Sequence, residues 1–167
     1  MVLFDKPGVE NTDDALRIAI DEAKKGDYPL VLSSNEGVSA FRLLEMTVKE
    51  GLAPRVVCVS QVCGFRGPGV QGLTPEAREK LEAMGAKVIT AAHALTGAER
   101  GLMKRFQGTY PVAMIAESLR MLGQGSKVCV EIGAMAMDAG ALEYGQPVVA
   151  LGGTGRGLDT AMLLTPA

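Results

Sequence analysis

The chain contains no tryptophan, and only 4% of its residues are aromatic. Since 47% of the residues are nevertheless hydrophobic, the core must be aliphatic, as is common where helices pack on a sheet. It also lacks a basic stripe with interleaved aromatic side chains, and its net charge is −2 at pH 7. These absences argue against nucleic-acid binding.

Histidine and cysteine are also scarce. His93 is the only histidine, and the three cysteines, Cys58, Cys63 and Cys129, have no CxxC spacing. We therefore expect no metal site. We expect the thiols to be reduced, and the N-terminus has no signal-peptide pattern, so we predict a cytoplasmic protein. No apolar run approaches the roughly 20 residues of a membrane span, so we predict none.

Helical and strand patterns alternate along the 167 residues, a length that fits one domain over residues 1–167. The patterns predict helices near 11–26, 38–48, 74–84, 111–122 and 127–139, and strands at 28–32, 55–60, 87–90, 147–151 and 160–164. Thr74 and Pro75 are typical of the cap and first residue of a helix. Residues 96–106 are interpreted as a short helix or an ordered loop.

Apolar spacing predicts which helix faces are buried. In the second helix the predicted face is Val38, Phe41, Leu44 and Val48. In the helix at 111–122 it is Val112, Ile115, Ala116 and Leu119. Residues 128–130 resemble a strand, but helical spacing continues to residue 139, which is too long for one strand, so we predict a helix.

Alternating strands and helices predict an α/β fold with a mostly parallel sheet covered on both faces. Only about eight residues separate the fourth and fifth strands, whereas a parallel crossover needs a dozen or more. The last strand should therefore run antiparallel at an edge of the sheet.

A first polar loop joins the first strand to the second helix and contains Ser33, Ser34, Asn35, Gly37 and Ser39. Backbone amides and hydroxyls at a helix N-terminus favour an anion, and Gly37 permits close approach. The alternative is that these residues only cap the helix. The residues alone leave both interpretations open.

A second loop follows the fourth strand and contains Gly153, Thr154, Gly155, Arg156 and Gly157. It is not a dinucleotide fingerprint, because a strand rather than a helix follows it. A glycine-rich nest with an arginine suits a phosphate or carboxylate, and the alternative is a hairpin with a surface arginine. If the first and fourth strands are adjacent, both loops face one crevice, where α/β sheets bind ligands.

Other residues near this crevice have two interpretations each. His93 follows the third strand and suits acid–base chemistry, and Glu99 and Arg100 could then orient His93 or the ligand. The alternative is that His93 has only a structural role. Arg66, in a glycine-rich loop, is a ligand contact that closes over a phosphate, or the loop is simply mobile. Asp159 contacts a ligand, holds the glycine loop or caps a turn.

Two carboxylates on the helix at 127–139, Glu131 and Asp138, are seven residues apart and share a face. We expect both carboxylates to be solvated. The alternative is that one of them lies near the crevice.

Three stretches carry a family resemblance: VLSSNEGVSAFRLLE, TAAHALTGAER and KVCVEIGAMAMDAGALEYGQPVVALGGTGRGLDTAMLL. They resemble the C-terminal domain of pyruvate kinase and, more closely, the free-standing proteins grouped with that domain. The resemblance implies a three-layer αβα sandwich with a five-stranded, mostly parallel sheet and an antiparallel last strand.

In pyruvate kinase this domain holds a sugar bisphosphate effector, so the resemblance implies phosphate contacts at Ser33, Ser34, Gly37, Ser39 and residues 153–157. The chain departs from that pattern at Asn35 and Glu36, and the Glu36 charge should repel a second phosphate. The pyruvate kinase catalytic barrel is absent. For the free-standing group, the resemblance implies flavin mononucleotide (FMN) as a ligand.

Three functional hypotheses follow. The first is a module that binds a small phosphorylated ligand, with FMN as the cofactor implied by the resemblance. The second is an enzyme that acts on a phosphorylated metabolite or reduces a substrate through flavin, with His93 as acid or base. The third is a regulatory or assembly domain acting in a homo-oligomer. Neither nucleic acid nor membrane is an expected partner.

Overall fold

The structure is a computed structural model that describes residues 2–53 and 55–167. A 3₁₀ turn, Val9–Asn11, precedes the helices and strands of these residues. In chain order they are α1 (Thr12–Gly26), β1 (Leu30–Ser33), α2 (Val38–Lys49), β2 (Val56–Ser60), α3 (Pro75–Ala83), β3 (Ala86–Thr90), α4 (Gly97–Phe106), α5 (Pro111–Arg120), α6 (Gln124–Asp138), β4 (Val148–Gly152) and β5 (Thr160–Leu164).

The five strands form one sheet in the order β3-β2-β1-β4-β5. β1 is parallel to both β2 and β4, and Leu32 lies opposite Cys58 on one side and Leu151 on the other. β5 pairs with β4 in the antiparallel direction and forms one edge of the sheet. The predicted antiparallel last strand is confirmed. The first and fourth strands are adjacent, which is the condition for the two loops to face one crevice.

Helices cover both faces of the sheet. Within β1, Leu30 and Leu32 belong to the core under α1, α2 and α3, and Val31 belongs to the core under α6, because successive side chains of a strand point to opposite faces. α5 packs on α6. The architecture is therefore a three-layer αβα sandwich.

The ambiguous segment at 127–139 is helical, as predicted, and α6 begins slightly earlier, at Gln124. α6 crosses β4, β5, β1 and β2. Two glycines permit its close approach: a Cβ at Gly152 would lie 2.5 Å from the carbonyl oxygen of Gly125. Within residues 2–53 and 55–167, no helix combines the length and apolar character needed to cross a bilayer.

Two predicted boundaries have different outcomes. Thr74 caps α3 as expected, because its hydroxyl accepts a hydrogen bond of 3.2 Å from the Ala77 amide. The first strand starts at Leu30 rather than at residue 28. The reason is that the Tyr28 amide still donates to the Ala23 carbonyl, at 3.0 Å, and so closes the end of α1.

The predicted buried face of α2 is wrong at both ends. Val38 and Val48 are 71% and 66% exposed, whereas Ala40 and Thr47 are fully buried. The buried residues of α2 are Ala40, Leu43, Leu44, Met46 and Thr47. The spacing selected a stripe rotated away from the side that meets the sheet, because it gave no weight to small side chains.

The predicted face of α5 is wrong at Ile115, whereas Val112 and Leu119 are half-buried. Only Ala116 is fully buried, and Ile115 is 53% exposed. α5 packs on α6 instead of on the sheet, so only a narrow strip of its surface is covered. The segment at 96–106 contains α4, a helix without a buried residue.

Candidate functional site

A cleft of about 790 Å³ lies at the carboxyl ends of β1, β2 and β4. The chain continues from β1 to β2 on one side, and β4 lies on the other, so the cleft occupies the position where the strand order reverses. Both predicted loops border it. The loop residues in its wall are Ser33, Ser34, Asn35, Glu36, Val38, Ser39, Gly153, Gly155, Arg156 and Gly157.

The first loop leads directly into α2. Gly37 has a φ of 89°, which makes the turn, and it lies behind the wall, where a Cβ would be 3.1 Å from Leu73. Among the described residues, the side chain that caps the start of α2 is that of Ser34, whose hydroxyl accepts a bond of 3.4 Å from the amide of Ala40, the third helical residue. The amides of Val38 and Ser39 are therefore left for a ligand or water at the cleft.

The second loop is fixed from behind by Asp159. Its Oδ2 accepts hydrogen bonds of 3.1 Å from the amides of Gly8 and Thr154. Thr154 and Asp159 thus shape the loop but do not line the cleft. Gly157 packs tightly on the start of α1, because a Cβ there would be 2.4 Å from the Thr12 hydroxyl.

Three arginines line the cleft and differ in their partners. Arg42 donates to both carboxylate oxygens of Asp13, from Nε at 2.9 Å and from a terminal guanidinium nitrogen at 2.6 Å, and this pairing lowers the pKa of Asp13. Arg66 pairs with Glu36, so the Glu36 charge is offset. Arg156 is exposed, and no acidic side chain of the described part of the chain is within ion-pair distance of it.

His93 lies at the cleft beside a buried ion pair on α6. Its Nδ1 is 3.5 Å from Oε2 of Glu131, which also accepts a hydrogen bond from Lys127. The other carboxylate oxygen accepts a bond of 2.9 Å from the Leu95 amide. Lys127 and Glu131 are each 3% exposed. The prediction that Glu131 is solvated is therefore wrong, whereas Asp138 is exposed as expected.

The environment of Glu131 keeps it ionised. Burial favours its protonated form, but hydrogen bonds from His93, Lys127 and the Leu95 amide, together with the Lys127 charge, outweigh burial. The pKa of Glu131 falls to about 2. The cleft therefore holds a fixed negative charge next to its only imidazole.

Comparison with solved structures gives a weak structural similarity. No family model matches the chain. A pyruvate kinase from Cryptosporidium parvum aligns with 99% of it, at 12% identity and a TM-score of 0.49. The chain spans only 24% of that pyruvate kinase. This is a weak structural similarity, and the resemblance to the free-standing group stays a prediction.

The structure separates Glu99 from His93. Both oxygens of Glu99 accept hydrogen bonds from the start of α5, at 3.2 Å from the Val112 amide and 3.0 Å from the Ala113 amide. Glu99 is not in the cleft wall, so the carboxylate predicted to orient His93 is instead a helix cap.

Arg100 also lies outside the cleft wall but contacts Phe65, whose ring lies beside His93. Its guanidinium is 4.9 Å from the centre of the Phe65 ring, and that ring is 6.0 Å from the imidazole of His93. Phe65 and Arg66 are neighbours in the glycine-rich loop between β2 and α3. This loop therefore reaches His93 through Phe65 and the cleft through Arg66.

Sequence reasoning did not propose six polar residues of the cleft wall, and it placed Glu131 near the crevice only as an alternative. The six are Thr12, Asp13, Arg42, Ser60, Gln61 and Gln124. Arg42 and Glu131 had a signal in the sequence. Arg42 follows Ser39 by three positions and so shares its face of α2. Lys127 and Glu131 are four positions apart in an otherwise apolar helix, which is the spacing of an ion pair.

The cysteines take no visible part in the cleft. Burial raises the pKa of Cys58 and of Cys129 to about 12, so both are neutral thiols, and Cys63 is exposed. Among the residues that the structure describes, no group of three or more His, Cys, Asp or Glu side chains is arranged to hold a metal ion.

Proposed function

We propose that the cleft binds a small phosphorylated ligand, with the phosphate between the loops at 33–39 and 153–157. The observation that carries the proposal is the convergence of the Val38 and Ser39 amides, at the start of α2, with Arg156 across one cleft. Free amides at a helix N-terminus attract anions, and a guanidinium binds a phosphate through two parallel hydrogen bonds. The hydroxyls of Ser33 and Ser39 add further donors.

The cleft has the size and mixed polarity of a nucleotide-sized site. Ligand pockets commonly measure roughly 300–1,000 Å³, and this cleft measures about 790 Å³. Val128, Ile132 and Met135 of α6 give it an apolar wall against which a ring system can pack. FMN is the ligand implied by the family resemblance, so it is the first to test.

Introducing a negative charge at Ser39 should weaken FMN binding. In Ser39→Asp the carboxylate stands at the second residue of α2, where it repels a phosphate. An acidic residue in the first helical turn favours the helix, so folding should not suffer. We expect at least a tenfold loss of affinity, or about 1.4 kcal/mol, in a calorimetric titration with FMN.

Two variants control for shape and for total charge. Ser39→Asn has nearly the size of the aspartate without its charge, and it should bind FMN within a few-fold of the wild type. Ser118→Asp adds the same charge on the exposed side of α5, outside the cleft, and should leave affinity unchanged. Equal affinities of Ser39→Asp and the wild type would contradict a phosphate site at α2.

The absorbance spectrum of the purified protein tests the ligand directly. A flavin signal that heat releases as the mononucleotide supports the proposal. If the protein is colourless, FMN is added and its fluorescence followed. No quenching rejects FMN, and a thermal-shift screen of sugar phosphates and nucleotides follows. No stabilisation by any of these compounds rejects the phosphorylated ligand.

We also propose that the chain forms a homo-oligomer through α4 and α5. These helices expose large apolar side chains: Leu102, Met103, Phe106, Met114 and Ile115. Extended exposed apolar patches are uncommon on monomers, and most soluble oligomers contain copies of one chain. A regulatory role would then appear as a change of oligomer mass on adding FMN.

Ile115→Lys should lower the oligomer mass measured by size exclusion with light scattering, because it places a charge within the apolar patch. Val48→Lys is the matched control, since Val48 is similarly exposed but lies on α2. A wild-type protein that remains a monomer at every concentration would rule out this assembly.

A further inference from the structure

We propose that His93 is the proton-accepting residue of the cleft and that Glu131 positions it. In this arrangement Nε2 of His93 accepts a hydrogen bond from a hydroxyl or N–H group of the ligand. This inference rests on the proposed function and narrows the ligand to a phosphorylated compound with such a donor. The cleft then has two recognition ends, with the anion at the loops and the donor at His93.

The first step of the argument is the fixed position of Glu131. Its Oε1 accepts from the Leu95 amide at 2.9 Å, and its Oε2 accepts from Lys127. Glu131 is only 3% exposed, so its carboxylate is screened little by water. It therefore presents a localised negative charge to Nδ1 of His93, 3.5 Å away.

The second step is the tautomer that this charge selects. A carboxylate beside one imidazole nitrogen favours the proton on that nitrogen, and the other nitrogen then carries a free lone pair. In His93 the proton should reside on Nδ1, facing Glu131. Nε2 is consequently the acceptor.

The third step is the state of Nε2. This atom is shielded from solvent and has no hydrogen-bond partner among residues 2–53 and 55–167. Shielded polar atoms without a partner are rare in folded proteins and call for an explanation. Since His93 is itself in the cleft wall, a donor group on the ligand would supply the missing partner.

Full transfer of the proton is chemically balanced in this geometry. The proton moves from a ligand oxygen to Nε2, and both electrons of the O–H bond remain on that oxygen. The imidazolium then lies beside the Glu131 carboxylate, which stabilises it. The ring of Phe65 lies beside the imidazole, at 6.0 Å between ring centres.

The single histidine makes nitrogen-15 NMR of the imidazole an unambiguous test. In the ligand-free protein at neutral pH we expect a protonated Nδ1 and an unprotonated Nε2. In the charge-neutral double variant Lys127→Gln/Glu131→Gln, the tautomer with the proton on Nε2 should gain population. Glu117→Gln, which removes an exposed carboxylate of α5, should change neither resonance. A wild-type imidazole protonated on Nε2 overturns the proposal, and so does an unchanged tautomer in the double variant.

Two probes separate this inference from the proposed function. Inorganic phosphate should shift the Ser39 and Gly155 amides without moving Nε2. Ribose-5-phosphate, which adds hydroxyl donors, should shift both the amides and Nε2. If ribose-5-phosphate moves the amides alone, the role of His93 is overturned and the phosphate site stands. If neither probe moves the amides, the proposed function fails and the assignment of His93 fails with it.

Discussion

Replacing Glu131 with leucine is expected to lower the free energy of unfolding by about 3–5 kcal/mol. The substitution leaves the ammonium group of Lys127 charged and 3% exposed, without the carboxylate that it contacts. It also removes the acceptor for the Leu95 amide. Breaking one half of a buried ion pair costs more than the pair itself contributes, because the remaining charge is still desolvated.

The double variant Lys127→Met/Glu131→Leu separates the stranded charge from loss of packing. It removes both charges and keeps side chains of similar volume, so it should recover more than half of the lost stability. Glu117→Leu removes a carboxylate from an ion pair whose acidic side chain is 72% exposed, and we expect a change below about 1 kcal/mol.

Urea denaturation followed by far-ultraviolet circular dichroism measures these differences, which suits a chain without tryptophan. A loss below about 1 kcal/mol in the single variant would contradict a desolvated Lys127–Glu131 pair. A double variant as unstable as the single one would mean that packing or the Leu95 contact, and not the stranded charge, dominates.

The sheet and the two loops were predictable because their signals are local. Short apolar runs marked the strands, and about eight residues between 151 and 160 excluded a parallel crossover. Once β4 lies beside β1, parallel geometry brings the loops after Ser33 and Gly152 to one edge. The cleft was therefore foreseeable as a place, although its ligand was not.

The burial of Glu131 could not be predicted because its environment is assembled from distant segments. A carboxylate in a helix is solvated by default. Glu131 is buried because α6 lies across the sheet and the segment after β3 covers this part of the helix. That segment brings the Leu95 amide within hydrogen-bonding distance of Glu131, although the two residues are 36 positions apart in the chain. Periodicity describes one helix face at a time and contains no information on which segment covers that face.

Glu99 shows the opposite error. Its short sequence distance from His93 suggested that the two act together. α4 instead directs the Glu99 carboxylate to the amides that begin α5, where it satisfies donors that the helix leaves open. Neighbourhood along the chain therefore indicated the wrong carboxylate, and the partner of His93 comes from α6.

Acid should remove the stabilisation that Glu131 contributes, and this is the second large effect that we expect. The hydrogen bonds and charge around Glu131 outweigh its burial and lower its pKa from the ordinary 4.5 to about 2 in the folded protein. A carboxyl with a lowered folded-state pKa stabilises the fold fully above its unfolded-state pKa. That contribution declines as the pH falls through the window from 4.5 to about 2. At about 1.36 kcal/mol per pKa unit it amounts to about 3 kcal/mol.

The difference between the wild type and Lys127→Gln/Glu131→Gln isolates this contribution. Other carboxyls with lowered pKa values, such as Asp13 and Glu76, are present in both proteins, so their titration cancels. Urea denaturation at a series of pH values should therefore show the wild-type advantage shrinking by about 3 kcal/mol as the pH falls to about 2. An advantage that stays constant through this window would mean that Glu131 titrates alike in the folded and unfolded chains. An advantage that grows would mean that the folded protein favours the protonated carboxyl, so burial would outweigh the contacts with Lys127, His93 and Leu95.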